Sequence, residues 1–229
     1  MTGGTIKSNK APNNGGGGVF VFEAGASFTM SGTAEISNNT ANYGAGVQVF
    51  RSDALFTMNG GTITLNDATN GGGGVLVEST AEFIMNSGYI TKNTAISGGG
   101  VYVAANLAWF TLNNGTVSEN SANYGGGVHV TDNGVFRMFG GTLSLNKAYR
   151  NGGGVYVDTG EFLKDLNGGI IYGWKDNQTY GNTVIGGSNG SGYAAYVTAN
   201  NYPNIARYRD STAWSTDRVD SWHNIGWGF

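Results

Sequence analysis

Residues 71–93 read GGGGVLVESTAEFIMNSGYITKN, and a close variant of this phrase returns along the chain about every 27 residues. Its Gly-Gly-Gly-Val-x-Val part recurs at Val19, Val47, Val75, Val101, Val128 and Val155, at intervals of 28, 28, 26, 27 and 27 residues. A Phe-Thr-Met-Asn-Gly-Gly part is anchored by Phe28, Phe56, Phe83, Phe110 and Phe136. A Thr-Ile-Thr-x-Asn part ends at Asn9, Asn39, Asn66, Asn93, Asn120 and Asn146. A fixed period of this size marks a repeat architecture, in which each copy buries its apolar face against its neighbours.

Within one copy, three short extended pieces (75–77, 82–85 and 89–91) are separated by Gly or polar corners. Alternation places Val75, Val77, Phe83, Met85 and Ile90 on one side, the period-two pattern of strands. Three strands per turn, each with an inward apolar face, predict an all-β chain wound around its own core as a parallel β-helix. Stacked coils bring equivalent strands about 4.8 Å apart, so Val stacks on Val, Phe on Phe and Asn on Asn. About seven coils are expected, counting an incomplete first one, over a length of about 35 Å. Met1 occupies the place of Met30, Met58, Met85 and Met138, which reads residue 1 as a point inside a longer repeat array or as a native start.

The glycine runs at 71–74, 98–100 and 125–127 mark a corner where only Gly takes positive φ at little cost. The Asn column, extended to Asn182, is expected to face inward, where stacked amides satisfy one another from coil to coil. Its expected role is structural. Past Asp158 the period loosens: Gly168-Gly169-Ile170 restarts the phrase, with an insertion at 174–180. Residues 1–199 are therefore assigned to the repeats. Residues 200–229, with Tyr202, Tyr208, Trp214, Trp222, Trp227 and Phe229, are assigned to an aromatic C-terminal cap. Solenoids need such a cap over the last coil.

Composition narrows the function classes. Net charge is -3 with only 12% charged residues, so the basic stripe that a nucleic acid needs is missing. No apolar run approaches the ~20 residues of a spanning helix, and no membrane insertion by this segment is expected. Cys is absent, and the two His, His129 and His223, lie far apart in sequence, so no metal and no cofactor are expected. Glu78, Asp132, Asp158 and Glu161 follow the Val-x-Val strands and are the candidates for paired-carboxylate hydrolysis, which needs two acids about 5 to 9.5 Å apart. Without further machinery around them they read as solvated corner acids.

The tetrads Phe56-Thr57-Met58-Asn59, Phe83-Ile84-Met85-Asn86 and Phe110-Thr111-Leu112-Asn113, with Gly60-Gly61-Thr62-Ile63, Gly99-Gly100-Val101 and Gly153-Gly154-Val155, resemble the repeats of the polymorphic outer membrane protein family and related bacterial surface proteins. Ser31 and Phe139 stand in place of the Asn in two other copies. The resemblance covers about residues 3 to 157. It implies a right-handed parallel β-helix displayed at the bacterial cell surface or secreted, adhesin-like, with a host or neighbouring-cell protein or glycan as partner.

Two outward columns complete the expectations. Residues between the core valines (Phe20, Gln48, Leu76, Tyr102, His129, Tyr156 and Tyr196) should form a water-facing, largely aromatic stripe, and exposed apolar patches mark interaction sites. Thr62, Thr64, Thr116, Ser118, Thr142 and Ser144 flank the third strand, an array that ice binding would use, interrupted by Lys7, Glu35 and Tyr89. An uncovered first coil would also permit head-to-tail self-association into filaments. The expectation is a non-catalytic adhesin-like or spacer domain. Filament subunit, polysaccharide-active enzyme and ice-binding protein are its alternatives.

Overall fold

In the computed structural model, residues 1–105, 107–165, 168–172, 181–185 and 195–197 are described. These residues form an all-β parallel solenoid of about six turns without any helix. The expected seven coils included a partial first one, which here consists of Thr5–Lys7 and Lys10–Gly15. The insertion at 174–180 and the cap assigned to 200–229 lie outside the described residues.

Every pairing between strands is parallel, and the register is the one the repeat dictates. Val19, Val47, Val75, Val101 and Val128 align in turn with Val155, in a seven-stranded sheet that runs in strict chain order. Phe28, Phe56, Phe83, Phe110, Phe136 and Phe162 align on a second face. Ile36, Ile63, Ile90, Val117, Leu143 and Ile171 align on a third. The rings from Phe56 to Phe162 stack face to face with centroids 4.8 to 5.0 Å apart, which is the strand spacing itself. With the Val pairs and Met30, Met58, Met85, Leu112 and Met138 they fill the core.

Each coil has a fourth extended arm that the three-strand expectation missed. After Val19–Phe22, Ser27–Met30 and Glu35–Ser37 the chain continues into Thr40–Tyr43, and later coils repeat this with Asp67–Gly71, Ser121–Tyr124 and Lys147–Asn151. Bridges through Thr94 and Ser97 carry the fourth arm across the intervening coil. In two coils the second and third arms merge into one ten-residue strand, Leu55–Thr64 and Glu82–Thr91. The fourth arm packs through small residues only: Ala41, Ala45, Ala68 and Ala95 form a second, narrow core. The glycine run explains the narrowness. A Cβ on Gly73 would lie 2.5 Å from the Thr94 carbonyl oxygen, and one on Gly126 would lie 2.5 Å from that of Lys147.

The corner between the third and fourth arms is made by residues in the left-handed region: Ser8, Asn38, Leu65, Lys92, Glu119 and Leu145, with φ between 54° and 59°. None is Gly, so each carries a cost of about 1 kcal/mol. Leu65 and Leu145 are 51% and 40% exposed and have no polar tip to bond the local backbone. Asn tolerates this conformation best among non-glycines, and Asn38 already occupies it. We therefore expect Leu65→Asn and Leu145→Asn each to stabilise the protein by about 0.5 kcal/mol. Urea-unfolding midpoints would check this; a fall in midpoint for both would contradict it.

Candidate functional site

The third arm turns at its left-handed residue, and the next residue is always the ladder Asn. At that turn the backbone N–H points inward and has no carbonyl to meet. The side chain of the following coil supplies the acceptor. Asn66 N–H donates to Asn93 Oδ1 at 3.0 Å, and Asn66 Nδ2 donates to the same oxygen at 3.0 Å. The second amide hydrogen of Asn66 goes to the Ile36 carbonyl at 3.0 Å. The same three bonds recur at Asn39, Asn93, Asn120 and Asn146, each within 2.8 to 3.1 Å. Asn9 joins at one end, and Asn182 closes the other by donating to the carbonyls of Leu143 and Tyr172 at 2.9 Å. All six predicted ladder positions, Asn39 to Asn182, are buried. Three bonds per rung, at about 1 kcal/mol each, exceed the strain of the corner that precedes them.

The third glycine of each run abuts this ladder. A Cβ on Gly100 would lie 2.5 Å from the Gly127 carbonyl oxygen and 3.0 Å from Asn120 Nδ2. Glycine run and Asn column are thus two sides of one seam.

The stripe between the core valines is placed differently from its expectation. Phe20 is 46% exposed and Tyr102 half-buried, but Leu76, His129 and Tyr156 are buried, as is Gln48. Tyr196 lies in register with Tyr156, and its side chain is outside the described residues. The reason is the missed fourth arm. Its last residue lies over the stripe of the next coil: Gly71 against the Tyr102 ring, Tyr124 stacked on Tyr156 at 5.6 Å. The left-handed Gly that follows presses on the stripe from its own coil, so that a Cβ on Gly125 would lie 2.7 Å from that of His129. What alternation assigned to solvent is a second packed column. The recurring sequence signal was Asn-x-Ala, at Ala11, Ala41, Ala68, Ala95, Ala122 and Ala148.

Within this column His129 stacks between Tyr102 at 5.0 Å and Tyr156 at 4.8 Å. Neither ring nitrogen finds a hydrogen-bond partner among the described residues. Burial lowers its pKa to about 3. Burial also pushes the Tyr102 phenol up to about 12, helped by the charges of Asp132, Glu78, Tyr43 and Asp158. Burial raises the Glu78 carboxyl, against the hydrogen bond that Gln48 Nε2 donates to it at 2.8 Å. The charges of the corner acids Glu78, Asp132 and Asp158 thus all act on one tyrosine. Among the described residues, no three His, Asp or Glu side chains group as a metal site.

The third-arm hydroxyls do not make a flat exposed array. Ser37, Ser118 and Ser144 are buried, and Thr62, Thr116 and Thr142 are half-buried. Instead, the turn between the second and third arms opens a shallow groove of about 520 Å³, lined by Gly32, Asn59, Gly61, Tyr89, Asn114 and Thr116 among others. Beside it runs a second, exposed amide ladder. Asn113 Nδ2 donates to Asn86 Oδ1 at 2.7 Å, and Asn86 Nδ2 to Asn59 Oδ1 at 2.8 Å.

No family model, no characterised protein and no solved structure matches this chain.

Two outcomes follow from the buried columns. Asn93→Ala removes the acceptor of two Asn66 donors and the donor to the Ile63 carbonyl, leaving buried groups unpaired. At about 1 to 3 kcal/mol for each such group, a loss of at least about 3 kcal/mol is expected in denaturant unfolding. His129 has a folded pKa below its unfolded value, so the unfolded chain binds the extra proton. Stability is therefore full above the unfolded value of about 6.5 and falls with pH toward about 3, by a few kcal/mol. His129→Leu, which copies Leu76 two rungs away in the same column, should flatten thermal midpoints across that window. A variant as acid-sensitive as the parent would contradict this.

Proposed function

We propose that this chain is a non-catalytic, rigid β-helix segment of a secreted or cell-surface bacterial protein, serving as an adhesin-like stem. The observation that carries the reading is the unbroken Asn ladder from Asn9 to Asn182, which ties every rung to the next by buried hydrogen bonds. Such coupling suits a part that holds other parts at a distance. The resemblance of the Phe-x-x-Asn and Gly-Gly-Val phrases to the polymorphic outer membrane protein repeats supports the surface location. A right-handed winding is part of this proposal, since crossovers between parallel strands of one sheet take that hand almost always. The partner is a protein or glycan of a neighbouring cell surface. Within the aromatic stripe, Phe20 and Tyr102 are the positions that retain exposure for it.

Two measurements test the reading. Antibody against this segment should label intact producing cells; labelling only after lysis would overturn the surface location. Excision of residues 75–127, two whole periods, rejoins Gly74 to Val128 in phase. The shortened chain should stay β-rich and lose about 10 Å of its maximum dimension in small-angle scattering, two strand spacings. An unfolded product would contradict a stem built from interchangeable rungs.

A further inference from the structure

We propose that the groove between the second and third arms binds a neutral glycan chain. This goes beyond the stem reading: it names a ligand class for a site that neither Phe20 nor Tyr102 lines, and it rests on separate observations.

The groove runs along the solenoid axis. Its walls come from successive coils: Gly32, then Asn59, Gly60 and Gly61, then Ser87, Gly88 and Tyr89, then Asn114, Gly115 and Thr116, and finally Thr142. Five rungs span about 19 Å, enough for a short chain rather than a single ring. Its depth comes from a column of glycines with left-handed φ: Gly61 at 87°, Gly88 at 102° and Gly115 at 109°. A Cβ on Gly61 would lie 2.5 Å from the Ala34 carbonyl oxygen, so the floor cannot be filled by side chains.

The chemistry of the lining selects the ligand. None of the lining residues carries a charge, so neither a phosphate nor a cationic peptide would find its counter-ion there. Polar capacity is nevertheless high and directional. Asn59 Oδ1 already accepts from Asn86, and Asn114 Oδ1 from the Gly115 N–H at 2.8 Å. Those bonds fix both amide planes and leave each NH2 to donate outward. Thr116 and Thr142 add hydroxyls that donate or accept as required. Midway stands Tyr89, 58% exposed, where the other described coils carry Thr5, Glu35, Thr62, Thr116, Thr142 and Ile170 in register. An exposed aromatic ring set among amides and hydroxyls matches a ligand with one apolar face and a rim of hydroxyls. A pyranose has both.

The test uses the whole chain, four neutral probes (cellohexaose, maltohexaose, laminarihexaose and chitohexaose) and two charged ones (heparin and polygalacturonate), titrated by calorimetry. At least one should saturate the protein with a Kd between about 10 μM and 1 mM. Tyr89→Ala and Asn59→Ala should each weaken that binding about five- to tenfold, and Tyr89→Phe should retain it, with unchanged unfolding midpoints for all three. Absence of saturation by all four neutral probes at about 10 mM overturns the proposal. So does binding that survives both Tyr89→Ala and Asn59→Ala, or binding only to the charged chains heparin and polygalacturonate. Surface labelling of intact cells without hexasaccharide binding would leave the stem reading in place and remove this one alone.

Discussion

A buried amide has two donors and an acceptor to satisfy, and in this chain a copy of itself one strand spacing away and a carbonyl of the preceding coil together meet that demand. From Asn39 to Asn146 each amide donates one hydrogen to the Oδ1 of the next rung and the other to a carbonyl of the preceding coil, and Asn182 ends the line by accepting from Asn146. A slip of one residue in any coil would break three bonds on each side of the slip and bury what they leave unpaired. Register is therefore fixed from inside, before the apolar columns add their packing. The Phe stack, with centroids 4.8 to 5.0 Å apart from Phe56 to Phe162, follows from the same spacing.

The ladder also accounts for features that look costly alone. Six successive corners hold residues in the left-handed region, among them Leu65, Lys92 and Leu145. That geometry turns the Asn N–H inward, where the neighbouring Oδ1 receives it. Across the seam, Gly100 and Gly127 leave room for the next coil's carbonyl and for the amide itself. Strain, glycine and asparagine form one device repeated in every turn.

The proposed glycan groove falls where the repeat is imperfect. A ladder of identical residues favours stability, and the exceptions interrupt it outward rather than inward. Tyr89 breaks a hydroxyl column on the groove side, and the exposed amides of Asn59, Asn86 and Asn113 occupy three coils, with Ser31 and Phe139 before and after them. The buried His129 is an exception of another kind. It keeps the stacking of its tyrosine neighbours, and its ring nitrogens have no hydrogen-bond partner among the described residues, which ties stability to pH.

The 27-residue period, read from the recurrence of the phrase at residues 71–93 along the chain, determined the parallel solenoid, the like-on-like register, the Phe and Val core and the buried Asn column. Each depends on spacing and side-chain type, which a sequence displays directly. The fourth arm was hidden because its inward residue is Ala, too small to stand out beside Val and Phe, and its pairing is carried by backbone. Only the fold decided that this arm reaches the Tyr156 ring of the next coil, and that the glycine following it packs on Leu76 and His129 of its own coil. Alternation tells which side of its own strand a residue occupies. What lies against that side depends on how sharply a left-handed glycine turns the chain, and so on tertiary structure.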